Sequence, residues 1–156
     1  MIKGAITENP WNNDNERNIR NTDKTQYNCG GYALGLFNWF IPWTEEHNKT
    51  IDWNFYHNET EKEEFIRICV NYMTENLPIR VISSISELKK REYAVAFRLA
   101  KDDFHFMKRG FNGVWYDKQG RLPSINTHKE NDVLNKKAWY GRYDSEIILL
   151  AMKKRS

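Results

Sequence analysis

Two runs of alternating side chains followed by a hairpin signal restrict this chain more than any other feature. Tyr93-Ala94-Val95-Ala96-Phe97-Arg98-Leu99 puts Tyr93, Val95, Phe97 and Leu99 on one side of an extended backbone, with smaller or charged residues on the other. That is the period of a half-buried strand. Lys101-Asp102-Asp103 turns the chain, and Phe104-His105-Phe106-Met107-Lys108 and Val114-Trp115-Tyr116-Asp117 then flank Gly110-Phe111-Asn112-Gly113. Glycine and asparagine between two apolar runs predict an antiparallel hairpin.

Helical patterns come earlier in the chain. Asn28 suits an N-cap, and Tyr32, Ala33, Leu36, Phe37 and Phe40 then recur at helical spacing until Ile41-Pro42-Trp43, where proline ends the run. Thr60-x-x-Glu63 has the form of a capping box, with Phe65, Ile68, Cys69, Tyr72 and Met73 on one face behind it. Leu77-Pro78 closes that helix, Ile79–Ile82 reads as a short strand, and Ser86–Lys90 as a turn or helical turn. After the hairpin, residues 120–129 read as a loop, 130–137 as a short helix, Trp139–Tyr143 as a connection, and Glu146–Met152 as a buried strand. Helices first and antiparallel strands after predict an α+β fold with the helices on one face of the sheet.

At 156 residues the chain fits one domain, 1–156. Residues 1–25 form an arm over or beside it, anchored by Trp11, and residues 44–57 a covering loop or short strand. The net charge of +3 is spread without a single-sign block, which argues against a nucleic-acid partner. No run approaches the roughly 20 apolar residues of a membrane span, and Met1-Ile2-Lys3-Gly4 opens no leader. Cys29 and Cys69 have no metal-type spacing to each other or to the four histidines. The expectation is a soluble protein of a reducing cytoplasm, using neither metal nor cofactor.

Chemistry concentrates at Cys29. It falls in the first turn of its helix, where unpaired N–H groups and the helix dipole favour thiolate. Gly30 and Gly31, poor helix formers at roughly 1 kcal/mol each against alanine, suit a backbone that lets another group approach the sulfur. Cys69 lies on an apolar helix face, where burial disfavours its thiolate. His47, His57 and His128 read as surface residues. His105 sits inside a strand between two phenylalanines, where an imidazole needs a partner.

Loop type decides what faces that imidazole. A three-residue loop, Phe111-Asn112-Gly113, makes opposed residues sum to 224, placing Gln119 across from His105 and Asp117 one diagonal step away on the same face. A two-residue Asn112-Gly113 turn shifts the register by one and turns Asp117 to the other face. Asp103, two residues before His105, is another acid available.

Cysteine at a helix start in Asn28-Cys29-Gly30-Gly31-Tyr32-Ala33-Leu34, a later strand histidine, and a polar residue on the next strand resemble the papain-like fold in its bacterial NlpC-type variants. More narrowly, Asp103-Phe104-His105-Phe106 with Arg109, Asn112-Gly113, Trp115, Lys118 and Gly120 resembles a motif of small bacterial and phage proteins that share the early cysteine segment. The likeness covers about a quarter of the chain, near residues 26–37 and 93–120. It departs at the third position, where many relatives carry a histidine or another polar residue.

The resemblance implies a papain-like α+β fold and a cysteine hydrolase or transferase acting on an amide, isopeptide or related acyl bond of a protein or peptide-like substrate. Cys29 would be the nucleophile, His105 the base and then the acid, and Asp117 the orienting residue, with Gln119 or Asp103 as alternatives. Asn28 or Gln26 would help the Cys29 N–H meet the oxyanion. The competing expectation is a catalytically silent relative that binds and inhibits a host protein through Trp11, Trp43, Trp53 and Trp139.

Overall fold

A computed structural model describes residues 24–44 and 54–154. Trp11 and most of the expected arm, His47 and Trp53 lie outside them. Helix α1 spans Cys29–Ala33 and α2 Glu59–Asn76; strands β1 (Ile79–Ile82), β2 (Glu92–Ala100), β3 (Asp103–Arg109), β4 (Trp115–Lys118) and β5 (Ile125–His128) follow, then α3 (Glu130–Leu134) and β6 (Ile148–Lys153). Among the described residues the strands make one six-stranded sheet, ordered β1-β6-β2-β3-β4-β5, with every neighbouring pair antiparallel. The architecture is α+β. No helix of the described residues is long and apolar enough to cross a membrane.

Strand β2 buries both of its faces. Tyr93, Val95, Phe97 and Leu99 pack with Phe40, Trp43, Phe65, Cys69 and Met73 under α1 and α2. Ala94 and Ala96 face Met107, Trp115, Val133 and Trp139 on the other side. The helices therefore do not keep to one face as expected: α3 and the segment after it cover the second. The small even-numbered residues of β2 are the reason, because alanine leaves room for an indole where a longer side chain would have needed solvent. Each large side chain sealed in this way, such as Phe97 or Trp115 at 0% exposure, contributes about 1.5–3 kcal/mol. Trp43 and Trp139 are consumed in these cores at 6% and 1% exposure and are not surface anchors.

The hairpin takes the three-residue loop. Lys108 pairs with Tyr116 and Arg109 with Trp115. The Gly110 N–H then bonds the Val114 carbonyl at 2.7 Å, and Gly113 holds the left-handed φ of +82° that the loop needs. Asp117 accordingly shares a face with His105.

Helix α1 is much shorter than the apolar spacing predicts. It stops at Leu34 because Gly35 and Phe37 turn left-handed, at φ +68° and +52°, and the Gly31 carbonyl takes both the Leu36 and Phe37 N–H groups at 3.0 Å. Phe40 returns to the start of the helix. There Asn28 acts as N-cap, its Oδ1 accepting from the Gly31 and Phe40 N–H groups at 3.0 Å while its Nδ2 donates to the Phe40 carbonyl at 2.7 Å.

The glycines serve this folding back, not an approaching substrate. A Cβ on Gly30 would sit 2.9 Å from the Phe40 ring, and one on Gly31 only 1.8 Å from the Asn38 carbonyl oxygen. Gly31→Ala is expected to destabilise the protein by about 1–3 kcal/mol through overpacking, read as a lower urea midpoint. An unchanged midpoint would mean that Asn38 yields at no cost.

Helix α2 begins two residues before the expected capping box. Asn58 caps it, accepting from the Glu61 N–H at 2.9 Å, and Glu61 reaches back to the His57 N–H at 2.8 Å. Residues 125–128, expected as loop, form the edge strand β5. Ile125 and Thr127 favour a strand while Pro123 and Asn126 favour a turn, so pairing with β4 decides the conformation.

Candidate active site

Helix α1 packs against β3 and β4. By strand alternation His105 points away from the α1 side, whereas Phe106 packs beneath Gly30 on it. The Cys29 sulfur lies 3.9 Å from the Phe104 carbonyl, one residue before His105 on β3. The two side chains line one cleft and lie close enough for the sulfur to influence the imidazole electrostatically. Buried Lys118 fixes the approach to α1, its ammonium bonded to the Tyr27 and Gly120 carbonyls and lying over the Tyr27 ring.

His105 is held on every side. Its Nε2 lies 2.5 Å from Asp117 Oδ2, which leaves Nδ1 as the ring nitrogen for sulfur. Tyr143 stacks on the imidazole at 5.4 Å between centroids and an interplanar angle of 17°, and Trp139 and Tyr140 present edges to it. Burial alone would pull this imidazole down, but the bond to Asp117 and the neighbouring Cys29, with their charges, win, and its pKa stands raised to about 9.

Asp117 is fully buried and serves more than one imidazole. Besides His105, it accepts from His128 Nε2 at 2.8 Å on Oδ1 and from the Tyr140 hydroxyl at 3.0 and 2.8 Å on its two oxygens. Burial would raise its pKa; the hydrogen bonds from His105 and His128 lower it to about 2. His128, expected at the surface, is thus a partly buried member of this cluster. Burial and the neighbouring Asp117 charge push the Tyr140 phenol up, so the hydroxyl stays a donor.

Residues 139–145 deliver the aromatic shell. The Asp144 and Ser145 N–H groups both bond the Leu99 carbonyl at 3.1 Å, and the Arg98 Nε donates to the Ser145 carbonyl at 2.8 Å. Tyr140 adopts a left-handed φ of +58°, uncommon for a tyrosine, directly before Gly141 at +66°. Such backbone strain costs about 1–3 kcal/mol and persists where surrounding contacts over-determine it. Read from sequence, this stretch is a mere connection. Three aromatics within Trp139-Tyr140-Gly141-Arg142-Tyr143 were the available signal.

Above the sulfur opens a cleft of ≈ 280 Å³ lined by Cys29, His105, Trp39, Gln119, Arg142 and Tyr143 among others. The remaining expected residues divide. Asp103 bonds the Tyr143 hydroxyl at 3.3 Å and pairs with Arg142 at 3.1 Å, so it supports the stacked ring and not the imidazole edge. Gln119 lines the cleft while Asp117 takes Nε2. Asn28 spends its amide on Gly31 and Phe40, and Gln26 is exposed outside the cleft lining. Cys69 is sealed in the core, where burial pushes its thiol far up. Among the described residues no group of three His, Cys, Asp or Glu side chains is arranged to hold a metal ion.

Comparison with curated proteins and with solved structures finds no match. A family model described as a domain of unknown function, DUF7689, matches residues 18–146, a stretch that includes Cys29, His105, Asp117, His128 and the 139–145 segment. The chain belongs to the DUF7689 family.

Proposed function

We propose that this protein is a papain-like cysteine hydrolase or transferase acting on an amide, isopeptide or related acyl bond of a protein or peptide-like substrate. One observation carries the reading: an imidazole locked by a buried carboxylate at 2.5 Å lines an open cleft together with the cysteine at the start of α1. With its raised pKa the ring is imidazolium at neutral pH, a positive charge against sulfur, the environment in which a thiolate nucleophile is made.

The thiolate adds to the carbonyl carbon, forming a C–S bond and an oxyanion. Collapse of that intermediate breaks the C–N bond, and His105 Nδ1 gives its proton to the departing amine. Water or an acceptor amine then adds to the thioester, losing its proton to the same nitrogen, and the sulfur leaves as thiolate. Asp117 keeps Nε2 bonded throughout, so the ring cannot turn away from sulfur.

Iodoacetamide at neutral pH tests the nucleophile. Labelling should fall on Cys29 in the folded protein and vanish in Cys29→Ala, along with any acyl-transfer activity, while Cys69→Ala changes neither. Labelling of both cysteines to the same extent, and only after unfolding, would defeat the reading. The competing idea of a silent binding protein loses two of its four proposed anchors to the cores.

A further inference from the structure

An oxyanion formed at Cys29 would be met by backbone N–H groups, side-chain donors or both, and of the upstream amides one is already engaged and the other lies outside the cleft. Asn28 is 3% exposed and its amide is engaged with Gly31 and Phe40; Gln26 is exposed and lines no part of the cleft. Gln119 remains. It follows β4 directly, and the hairpin register that pairs Arg109 with Trp115 carries it opposite His105. It is half-buried, lines the cleft together with Cys29 and His105, and its amide makes no hydrogen bond to a described residue.

We infer that Gln119 is a catalytic residue whose Nε2–H donates to the developing oxyanion. The assignment rests on the thiol-hydrolase reading. The second donor is the Cys29 N–H, which as the first residue of α1 has no partner within the helix. The backbone around Gln119 is held from both sides. The adjacent Lys118 is tied to the Tyr27 and Gly120 carbonyls, and the Gln119 carbonyl accepts from the Leu122 N–H at 2.9 Å. A donor whose backbone is already fixed beside the cleft has only its side chain to orient when charge appears on the carbonyl oxygen, which is the source of its effect. The sequence favours Gln119 as an alternative partner for the ring; Asp117 takes that post, and the amide is left for the substrate.

Two reactions of Cys29 in the full-length protein separate this role from a structural one. Alkylation by iodoacetamide displaces iodide at a saturated carbon and forms no oxyanion. Acylation by p-nitrophenyl acetate passes through one. Gln119→Ala should leave the alkylation rate within about twofold and slow the p-nitrophenolate burst about 10²-fold, the usual loss for a missing oxyanion donor. Gln119→Glu, equal in size but anionic, should show the same split with a loss at least as large. Equal slowing of both reactions, or no slowing of acylation, would overturn the assignment while leaving Cys29 as nucleophile. Failure of the wild-type protein to alkylate at Cys29 would instead remove the hydrolase reading and this assignment with it.

Discussion

Asp117→Ala is expected to lower the unfolding free energy at neutral pH by about 3–5 kcal/mol, the range for removing one partner of a buried ion pair. The carboxylate is fully buried, and it accepts from His105, His128 and Tyr140 together. Its loss strands the His105 ring, itself only 2% exposed, without its anionic partner. Asp117→Asn keeps the shape and one acceptor oxygen but turns an NH2 toward groups that need an acceptor. A smaller cost of about 1–3 kcal/mol is expected there, that of unsatisfied buried donors. Acyl transfer should fall about 10⁴-fold in the asparagine variant, as in other triads deprived of the acid. Urea unfolding curves and initial rates measure the two effects separately. A cost below about 1 kcal/mol for the alanine variant would show that the cluster contributes little to the fold.

Stability should depend on pH with opposite signs at the two ends of this bond. His105 has a folded pKa raised to about 9 from the ordinary 6.5, so the folded protein holds the proton more tightly than the unfolded chain does. Its contribution is whole below pH 6.5 and drains away as pH climbs through 9, a loss of about 3 kcal/mol. Asp117 runs the other way. With its pKa lowered to about 2 from 3.8, its contribution is present above pH 3.8 and disappears as pH falls toward 2. These are one interaction seen from its two partners, so a stability maximum between about pH 4 and 6.5 is expected, not a double gain. His105→Gln should flatten the alkaline decline, and the difference between the two proteins across pH 6 to 10 is the quantity to measure. Identical slopes would mean that the ring titrates normally. Acyl transfer should also fall above pH 9, where His105 no longer carries the proton for the leaving amine.

How far the chain announced its site can be argued residue by residue. Cys29 was distinguished from Cys69 by its neighbours alone: a cap residue and glycines against an apolar helix face. His105 was distinguished from the other histidines by its place inside an alternating run. Asp117 was legible only conditionally, because a hairpin one residue shorter would have turned it away, and the Gly113 conformation and the Gly110–Val114 pair settle the matter. His128 and Tyr140 were not legible. The first sits in a four-residue strand too short, and too close to Pro123, to stand out from a loop, and the second in a connection whose left-handed turn no local pattern announces.

Local periodicity and turn chemistry determined most of the strands and the long helix and set Cys29 and His105 apart from the other cysteine and histidines, since those depend on neighbours within a few residues. The length of α1, the covering of both sheet faces and the sharing of one carboxylate by two histidines and a tyrosine were decided only by tertiary structure. They arise where residues 11 to 60 positions apart compete for the same volume and the same hydrogen bonds, as when Asp117 accepts from His128 and Tyr93 of β2 donates to the Ala33 carbonyl at the end of α1. Contacts of that kind have no period along the chain, and so leave no trace in it to be read.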